Sequence, residues 1–179
     1  DLEMALEGRK LADIDAVISQ FLDFARVGGE SVNAVDADID EIVQGLVERY
    51  QRQGLAVSAQ CGGLPPMRLK TLAIQRLLTN LVDNARRHGG QEVVIETSLH
   101  DKQARLAVLD RGPGIPAADA ERMLQPFTRL NTARSTSGSG LGLAIVDRIA
   151  KMHGGRVQLL PREGGGLEGA DMADRPGRI

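Results

Sequence analysis

The sequence predicts an α+β fold, a two-layer α/β sandwich in which helices cover one sheet, preceded by a long helix. Three observations favour this fold class. Helical apolar periodicity recurs in several long segments, shorter segments alternate apolar and polar residues as strands do, and glycine-rich breaks separate the two kinds of segment. With 179 residues, the chain is long enough for one domain with its own core and one extra element.

Composition narrows the class of protein. Hydrophobic residues make up 42% and charged residues 26% of the chain, which is typical of a globular domain. The net charge of -2 gives no reason to expect nucleic acid or an anionic membrane surface as a partner. The single cysteine, Cys61, cannot form an internal disulfide and is expected to be a packing residue in a reducing compartment. No apolar run approaches the roughly 20 residues that span a bilayer. The expected location of this segment is the cytoplasm, in keeping with a reducing compartment.

Residues 1–27 are predicted to form one long helix. Its apolar residues keep a 3-4 spacing, the repeat of a helix that packs along a partner, and they are Met4, Leu11, Ile14, Ile18, Phe21 and Ala25. One helix cannot bury so wide a stripe by itself. Either the stripe packs on the rest of the domain, or it belongs to a helical bundle whose other helices are absent here; we favour the bundle.

The remaining elements follow from periodicity and from turn residues. A glycine-containing break at residues 27–31 is predicted to be a linker, and Asp36 and Asp38 are candidate N-caps for the next helix. Predicted helices cover residues 38–53, 70–88, 117–125 and 140–153. Predicted strands cover residues 57–61, 93–99, 104–109 and 156–160, the middle two forming a hairpin around residues 100–103.

The helix at residues 70–88 carries a polar row beside its apolar face. Asn80, Asn84 and Arg87 cluster along that flank. An amide oxygen is a suitable ligand for Mg²⁺, which prefers few protein ligands and fills its shell with phosphate oxygens and water. Arg87 can neutralise phosphate charge. A plain solvated helix flank is the alternative interpretation.

Asp110 ends the second hairpin strand and is followed by a glycine pair. Gly112 and Gly114 let the backbone turn sharply and approach a flat ligand closely. A carboxylate there can accept a hydrogen bond from an adenine amino group, and in a nearly dry pocket that bond is selective. The alternative is an Asp-Gly turn that simply closes the strand.

A glycine-rich segment at residues 138–142 opens the last long helix. Free N–H groups at a helix start, with glycines that allow close approach, form an anion site. Because no lysine follows the glycines, the segment is not a P-loop. Residues 127–137 have the composition of a mobile loop that could close over a ligand or be an ordinary surface loop, and Phe127 is expected to anchor its base by packing.

Taken in order, residues 80–89, 110–115, 126–129 and 138–143 closely resemble the N, G1, F and G2 boxes of sensor histidine kinases, most of all those of osmosensor type. These kinases share an ATP-binding superfamily with gyrase, Hsp90 and MutL. Residues 1–27 resemble the second helix of the kinases' dimerisation hairpin. The resemblance implies two parts: residues 1–30 as hairpin helix plus linker, and residues 31–179 as the ATP-binding catalytic domain.

The resemblance also implies residue roles. Asn84 would bind Mg²⁺, Arg87 would contact phosphate, His88 would lie near the nucleotide and Asp110 would recognise adenine. The implied ATP-binding set is Asn80, Asn84, Arg87, His88, Asp110, Gly112, Gly114, Ile115, Arg129, Leu130, Ser139, Gly140, Leu141, Gly142 and Leu143. The implied partners are a second copy of the chain, through the N-terminal helix, and a response regulator. A membrane would be met only through segments of a parent protein anchored in the bacterial inner membrane.

Two departures from the family pattern matter. The family's phosphoacceptor histidine is followed by an acidic residue and a proline, and none of His88, His100 and His153 has that context. We therefore expect the acceptor to lie outside this chain, and His100 and His153 to be surface residues. The family's last strand is also altered, since residues 168–174 are not alternating apolar residues. That strand is expected to be short or frayed.

Three functions are consistent with these motifs. The first is phosphoryl transfer from Mg-ATP to a histidine, and onward to a response-regulator aspartate. The second is an ATPase of the gyrase or Hsp90 branch, or a related serine kinase. These proteins have a glutamate as base where this chain has Asn80, and an amide cannot take a proton, so this interpretation is weaker. The third is a nucleotide-binding or dimerisation module without catalysis.

Overall fold

A layer of helices packs on a mixed sheet in this computed structural model. The structure describes residues 2–27, 33–88, 90, 92–129, 139–161, 167–168 and 171–172. The helices are α1 (Leu2–Arg26), α2 (Ile39–Arg52), α3 (Thr71–His88), α4 (Ala120–Met123, after a 3-10 turn at Ala117–Asp119) and α5 (Gly142–Met152). The strands are β1 (Val35–Ala37), β2 (Val57–Gln60), β3 (Met67–Leu69), β4 (Val93–His100), β5 (Gln103–Leu109), β6 (Leu160–Pro161), β7 (Leu167–Glu168) and β8 (Asp171–Met172).

The main sheet has the strand order β2-β4-β5-β8. Strand β2 runs parallel to β4, with Val57 opposite Val93, and β4 and β5 form an antiparallel hairpin. The two turn residues of the hairpin, Asp101 and Lys102, both have positive φ, which matches the right-handed twist of the strands. Burial alternates along β4, so one face of the sheet is covered by the helices.

The core lies between this face and the helix layer. Helix α3 contacts both β4 and β5 as well as α5. Its apolar face is buried throughout, as is most of α5, and the largest fully buried side chains here include Ile74, Leu77, Leu78, Leu106, Ile145 and Ile149. Burying such side chains supplies most of the free energy of folding, so the polar flank of α3 is left at the rim of the core.

Long periodic segments were predicted correctly, and the α+β class is confirmed. Helix α2 begins after Asp38, whose carboxylate accepts hydrogen bonds from the N–H groups of Asp40 and Glu41, as an N-cap should. The small sheet formed by β1 and β3 was not predicted. Its three-residue strands are too short to show a period.

The predicted strand at residues 156–160 is confirmed only in part. Val157 and Leu159 are buried, whereas Arg156 and Leu160 are exposed and Gln158 is half-buried, so the extended pattern is present. Within the described residues, Arg156 belongs to an isolated bridge and Leu160 to β6, which pairs with β7. Strand β8 pairs with the start of β5 at Ala104 and Arg105, and β7 and β8 are each two residues long.

Helix α1 has two different faces. Its last turns contact the domain: Phe24 packs on the core and Val27, which follows the helix, is buried. The opposite face is exposed, and its apolar side chains are Leu11, Ile14, Ile18, Phe21 and Leu22. The two alternatives predicted for this helix, packing on the rest of the domain and membership of a helical bundle, are therefore not exclusive. Among the helices of the described residues, none is both long and apolar enough to cross a membrane.

Two polar contacts tie α2 to the rest of the domain. The Tyr50 hydroxyl donates to the Asp83 carboxylate of α3 at 3.2 Å. Burial, and then Asp83, raise the pKa of Tyr50 to about 12.

Cys61, expected to be a packing residue, is exposed beside this helix, where the side chain of Gln44 lies 4.0 Å from its sulfur.

The second contact is a buried carboxylate, Asp40. It accepts hydrogen bonds from the N–H groups of Gly63 and Leu64 at 2.8 and 3.1 Å and from the Thr97 hydroxyl of β4. One side chain thus joins α2, the chain between β2 and β3, and the sheet. Buried N–H groups left without an acceptor are costly, so this carboxylate has a structural role.

We expect Asp40→Ala to lower the free energy of unfolding by about 3 kcal/mol, since two backbone donors and one hydroxyl lose their acceptor. Equilibrium unfolding in urea measures the loss. Glu41→Ala, at the exposed neighbouring position, is the control and should change stability by less than about 0.5 kcal/mol. Equal effects of the two substitutions would contradict the role given to Asp40.

Candidate functional site

The polar row of α3 lies at the rim of the core, as predicted. Asn80 and Asn84 are half-buried, whereas Arg87 and His88 are exposed at the end of the helix. The Asn80 amide nitrogen donates to the carbonyl oxygen of Arg76 at 2.9 Å. Its oxygen faces the start of α5, where a Cβ placed on Gly142 would lie 3.4 Å away. The row therefore borders the first turn of α5.

Asp110 is buried where β5 ends. Its carboxylate accepts a hydrogen bond from the N–H of Gly112 at 2.9 Å, which holds the side chain in one orientation. Gly114 has positive φ, a conformation that glycine adopts without strain, and Ile115 packs on the core. The two interpretations of Asp110, a turn that closes the strand and a carboxylate that binds a ligand, are compatible because the turn itself holds the buried carboxylate in place.

Three charged side chains, Arg87, Asp110 and Arg129, act on His88 at the end of α3. Burial and then the Arg87 guanidinium lower the pKa of His88 below its ordinary value, and Arg129 acts in the same direction, whereas Asp110 opposes them. These groups belong to three separate predicted motifs. The fold therefore places a carboxylate and two guanidinium groups near enough to the His88 imidazole to act on its pKa.

The segment before α5 is held by backbone contacts rather than by a side chain. The N–H of Phe127 donates to the carbonyl oxygen of Gly140 at 3.0 Å. The Phe127 ring is 60% exposed, so the expectation that it anchors the loop base by packing was wrong. Gly140 has positive φ, and a Cβ there would lie 2.9 Å from both the Phe127 carbonyl carbon and the Thr128 oxygen. Leu130, from the implied ATP-binding set, and Gly138, from the glycine-rich motif, lie outside the described residues.

The last helix begins at Gly142, two residues later than predicted, because Gly140 adopts positive φ. Leu141 and Leu143 are buried and secure the first turn to the core. The Ser139 hydroxyl accepts a hydrogen bond from the N–H of Leu141 at 3.2 Å. In the described part of the chain, the N-cap Leu141 makes no side-chain capping bond, so the first turn has the chemistry of an anion site.

Contacts from α1 to this region were missed by sequence reasoning. The Ser139 hydroxyl donates to the side-chain oxygen of Gln20, and Asp23 forms an ion pair with Arg76 at 3.4 Å. The side chain of Arg148 on α5 donates to the Phe24 carbonyl oxygen at 3.0 Å and lies 4.9 Å from the centre of its ring. Polar residues on a helix carry no periodic signal, so only the tertiary structure reveals their partners.

The two other histidines differ from each other. His100 is exposed, as predicted. His153 is half-buried rather than on the surface: Nε2 accepts from the N–H of Lys70 at 3.1 Å and Nδ1 lies 2.8 Å from the Ile149 carbonyl oxygen. It joins the end of α5 to the start of α3, a structural role.

Comparison with known proteins defines the family. Residues 69–170 match the model of the histidine kinase-, DNA gyrase B- and HSP90-like ATPases. The chain therefore belongs to this ATPase family. A relative from Streptomyces coelicolor, the sensor protein CutS, is 34% identical over 173 residues, which cover 92% of this chain and 39% of CutS.

Solved structures give the same class. The chain resembles full-length ShkA in complex with AMPPNP, with a TM-score of 0.74 and 25% identity over 95% of this chain and 39% of ShkA. It also resembles the histidine kinase domain of the Escherichia coli osmosensor EnvZ, with a TM-score of 0.63 and 30% identity over 84% of this chain and 95% of that domain. The domain is thus of the histidine kinase ATP-binding type, and the chain spans well under half the length of CutS.

The close packing of Gly140 against the backbone of Phe127 and Thr128 leads to a testable prediction. Gly140→Ala should lower the free energy of unfolding by about 2 kcal/mol or more, because the new methyl group meets backbone atoms and positive φ strains alanine. Hydrogen exchange should show loss of protection at the Phe127 amide.

Gly142→Ala provides the matched control. It lies within the helix, where the added carbon meets only the Asn80 side chain at 3.4 Å, and should change stability by less than about 1 kcal/mol. Equal tolerance of both substitutions would show that the Phe127–Gly140 contact is not close.

Proposed function

We propose that this domain binds Mg-ATP and transfers the γ-phosphoryl group to a histidine outside this chain, from which it passes to an aspartate of a response regulator. The observation that carries the proposal is the buried and oriented Asp110 carboxylate at the end of β5, with Arg87 and Arg129 near enough to act on His88 and Asn80 bordering the start of α5. A buried acceptor, cationic groups and free N–H donors are what a purine ring and a polyphosphate require.

Asp110 would select adenine. Its carboxylate is buried and held in orientation by the Gly112 N–H, so it would accept the adenine amino group without reorganisation. Guanine presents a carbonyl oxygen where adenine has its amino group, and two acceptors facing each other in a dry pocket repel. Gly112, Gly114 and Ile115 would form the wall beside the base.

The phosphates would extend toward α5. Arg87 and Arg129 would neutralise their charge, and Ser139, Gly140, Leu141, Gly142 and Leu143 would offer backbone donors. Within the described residues, no group of three or more His, Cys, Asp and Glu side chains could hold a metal ion. A single amide ligand from Asn84 suits Mg²⁺, which would neutralise phosphate charge when bound together with ATP.

Asn80 favours transfer over hydrolysis. ATPases of the gyrase and Hsp90 branch resemble this pocket but have a glutamate at this position as a base. An amide cannot accept a proton, and the Asn80 nitrogen is engaged by the Arg76 carbonyl oxygen. A histidine nucleophile needs no such base, since neutral imidazole carries a lone pair. Catalysis would then rest on positioning and charge neutralisation.

The exposed stripe of α1 supports a dimer. Leu11, Ile14, Ile18 and Phe21 recur at the spacing of a helix-pairing seam and remain exposed in the single chain. A homodimer would form through this stripe as part of a hairpin bundle, with residues 1–30 as the dimerisation part and residues 31–179 as the catalytic part. The parent protein would be anchored in the bacterial inner membrane with this domain in the cytoplasm.

Nucleotide selectivity tests the pocket. Asp110→Ala should weaken ATP binding at least about tenfold, since the adenine amino group loses its acceptor, and should strengthen weak GTP binding, since the repulsion between the carboxylate and the guanine carbonyl oxygen is removed. Isothermal titration calorimetry with ATP and with GTP in Mg²⁺ measures both. Glu121→Ala, an exposed acidic residue nearby in sequence, is the control and should bind like the wild type. Unaltered ATP affinity in Asp110→Ala would remove Asp110 from the site.

Phosphoryl transfer is tested in trans. The chain is incubated with γ-labelled ATP, Mg²⁺ and a separate hairpin that carries the acceptor histidine. We expect acid-labile label on the hairpin and none on this chain, because His88, His100 and His153 lack the acceptor context. Asn84→Asp should reduce the label, because its carboxylate adds negative charge beside the phosphates. Tight nucleotide binding without labelled hairpin would favour a non-catalytic binding module instead.

A further inference from the structure

Tyr50 of α2 is bonded to the helix that carries the polar row. Its side chain is buried, and its hydroxyl donates to the Asp83 carboxylate of α3 at 3.2 Å. Asp83 directly precedes Asn84, the proposed magnesium ligand. A residue of α2, a helix that contains none of the four motifs, is therefore bonded to the neighbour of a proposed site residue.

The Tyr50 hydroxyl keeps its proton at neutral pH. Because burial, and then Asp83, raise the pKa of Tyr50 to about 12, the phenol is neutral and remains a donor. A hydrogen bond to a carboxylate is stronger than one between two neutral groups. Asp83 is only half-buried, so without this bond its carboxylate would be able to turn elsewhere. The bond holds that carboxylate on the α2 side of α3.

Asp83 has another possible partner on its own helix. Arg87 follows it by four residues, the spacing at which an acidic and a basic side chain pair on a helix, with the acidic residue in the favourable N-terminal position. Such a pair forms on α5, where Asp147 and Lys151 lie 2.7 Å apart at the same spacing. Among the ion pairs of the described residues, however, none joins Asp83 to Arg87.

The position of Arg87 around the helix axis makes this choice of partner important. At about 3.6 residues per turn, Arg87 lies about 60° from Asn84 and about 40° from Asp83, between the two. Its side chain is exposed, so it can turn toward the polar row or toward Asp83. Only the first orientation directs its charge to the proposed phosphate site, whereas pairing with Asp83 would redirect that charge and neutralise it.

We propose that Tyr50 is a positioning residue of the nucleotide site, which holds the Asp83 carboxylate and so keeps Arg87 available for the phosphates of ATP. The inference rests on the proposed function and adds to it a residue that lies outside all four motifs. Tyr50 acts only through Asp83 in this role. Loss of the hydroxyl therefore weakens nucleotide binding by releasing a competitor for Arg87.

The first test is the affinity of the 179-residue chain for AMPPNP with Mg²⁺, measured by calorimetry. Tyr50→Phe removes the hydroxyl and keeps the buried ring, and it should weaken binding at least about threefold as Asp83 pairs with Arg87. The double variant Tyr50→Phe/Asp83→Asn also removes the competing carboxylate and should return to the wild-type affinity. A purely structural role of Tyr50 would not be rescued in this way.

Glu48→Gln provides the matched control for that rescue. Glu48 lies on α2 two residues before Tyr50 and is exposed, and its substitution removes the same charge as Asp83→Asn. Combined with Tyr50→Phe, it should leave the affinity as weak as in Tyr50→Phe alone. Equal rescue by Glu48→Gln and by Asp83→Asn would reflect net charge and overturn the proposal.

The second test measures the coupling between Tyr50 and Arg87. Arg87→Ala should weaken AMPPNP binding in the wild type and have a smaller effect in Tyr50→Phe, where the guanidinium is already paired with Asp83. Equal effects in the two backgrounds, unchanged affinity in Tyr50→Phe or a lack of rescue by Asp83→Asn overturns the role of Tyr50 and leaves nucleotide binding intact. Absence of AMPPNP binding in the wild type overturns the proposed function and, with it, this role.

Discussion

The antiparallel packing of α3 and α5 on one face of the sheet is the constraint on which the rest of the structure depends. The apolar faces of both helices are almost wholly buried, so their polar residues can lie only at the rim. Two contacts define how the helices are aligned. His153 joins the end of α5 to Lys70 at the start of α3, and Asn80 faces Gly142 at the start of α5. The polar row of α3 consequently borders a helix start, where an anion binds best.

The two faces of α1 have different chemistry. One face docks on the domain, where Asp23 forms an ion pair with Arg76 and Phe24 contacts Arg148 through its carbonyl oxygen and its ring. Phe24 also packs on the core and Val27 is buried, so apolar burial adds to these polar contacts, which contribute little individually. The other face is apolar and exposed. The last turns of α1 are therefore part of the domain's packing, whereas the exposed apolar face is accessible to a partner.

Local signals predicted much of the fold. The periodicity of α2, α3 and α5, the Asp38 N-cap and the β4–β5 hairpin are determined by residues within a few positions of one another. Predictions were wrong where the outcome depends on a distant partner. Residues 157–159 alternate in burial but are not assigned to a strand in the described part of the chain, and the exposed ring of Phe127 leaves its backbone to make the contact with Gly140.

The sequence by itself determined the class of protein, because the order and chemistry of four motifs restrict it to one ATPase family. It also determined the absence of an acceptor context at any of its histidines, a property of neighbouring residues alone. Only the tertiary structure decided that Asp110 and Arg129 lie near enough to His88 to act on its pKa, and that Gln20 reaches Ser139. These contacts join residues that are tens of positions apart, so their geometry depends on how buried helices and strands pack, which no local pattern encodes.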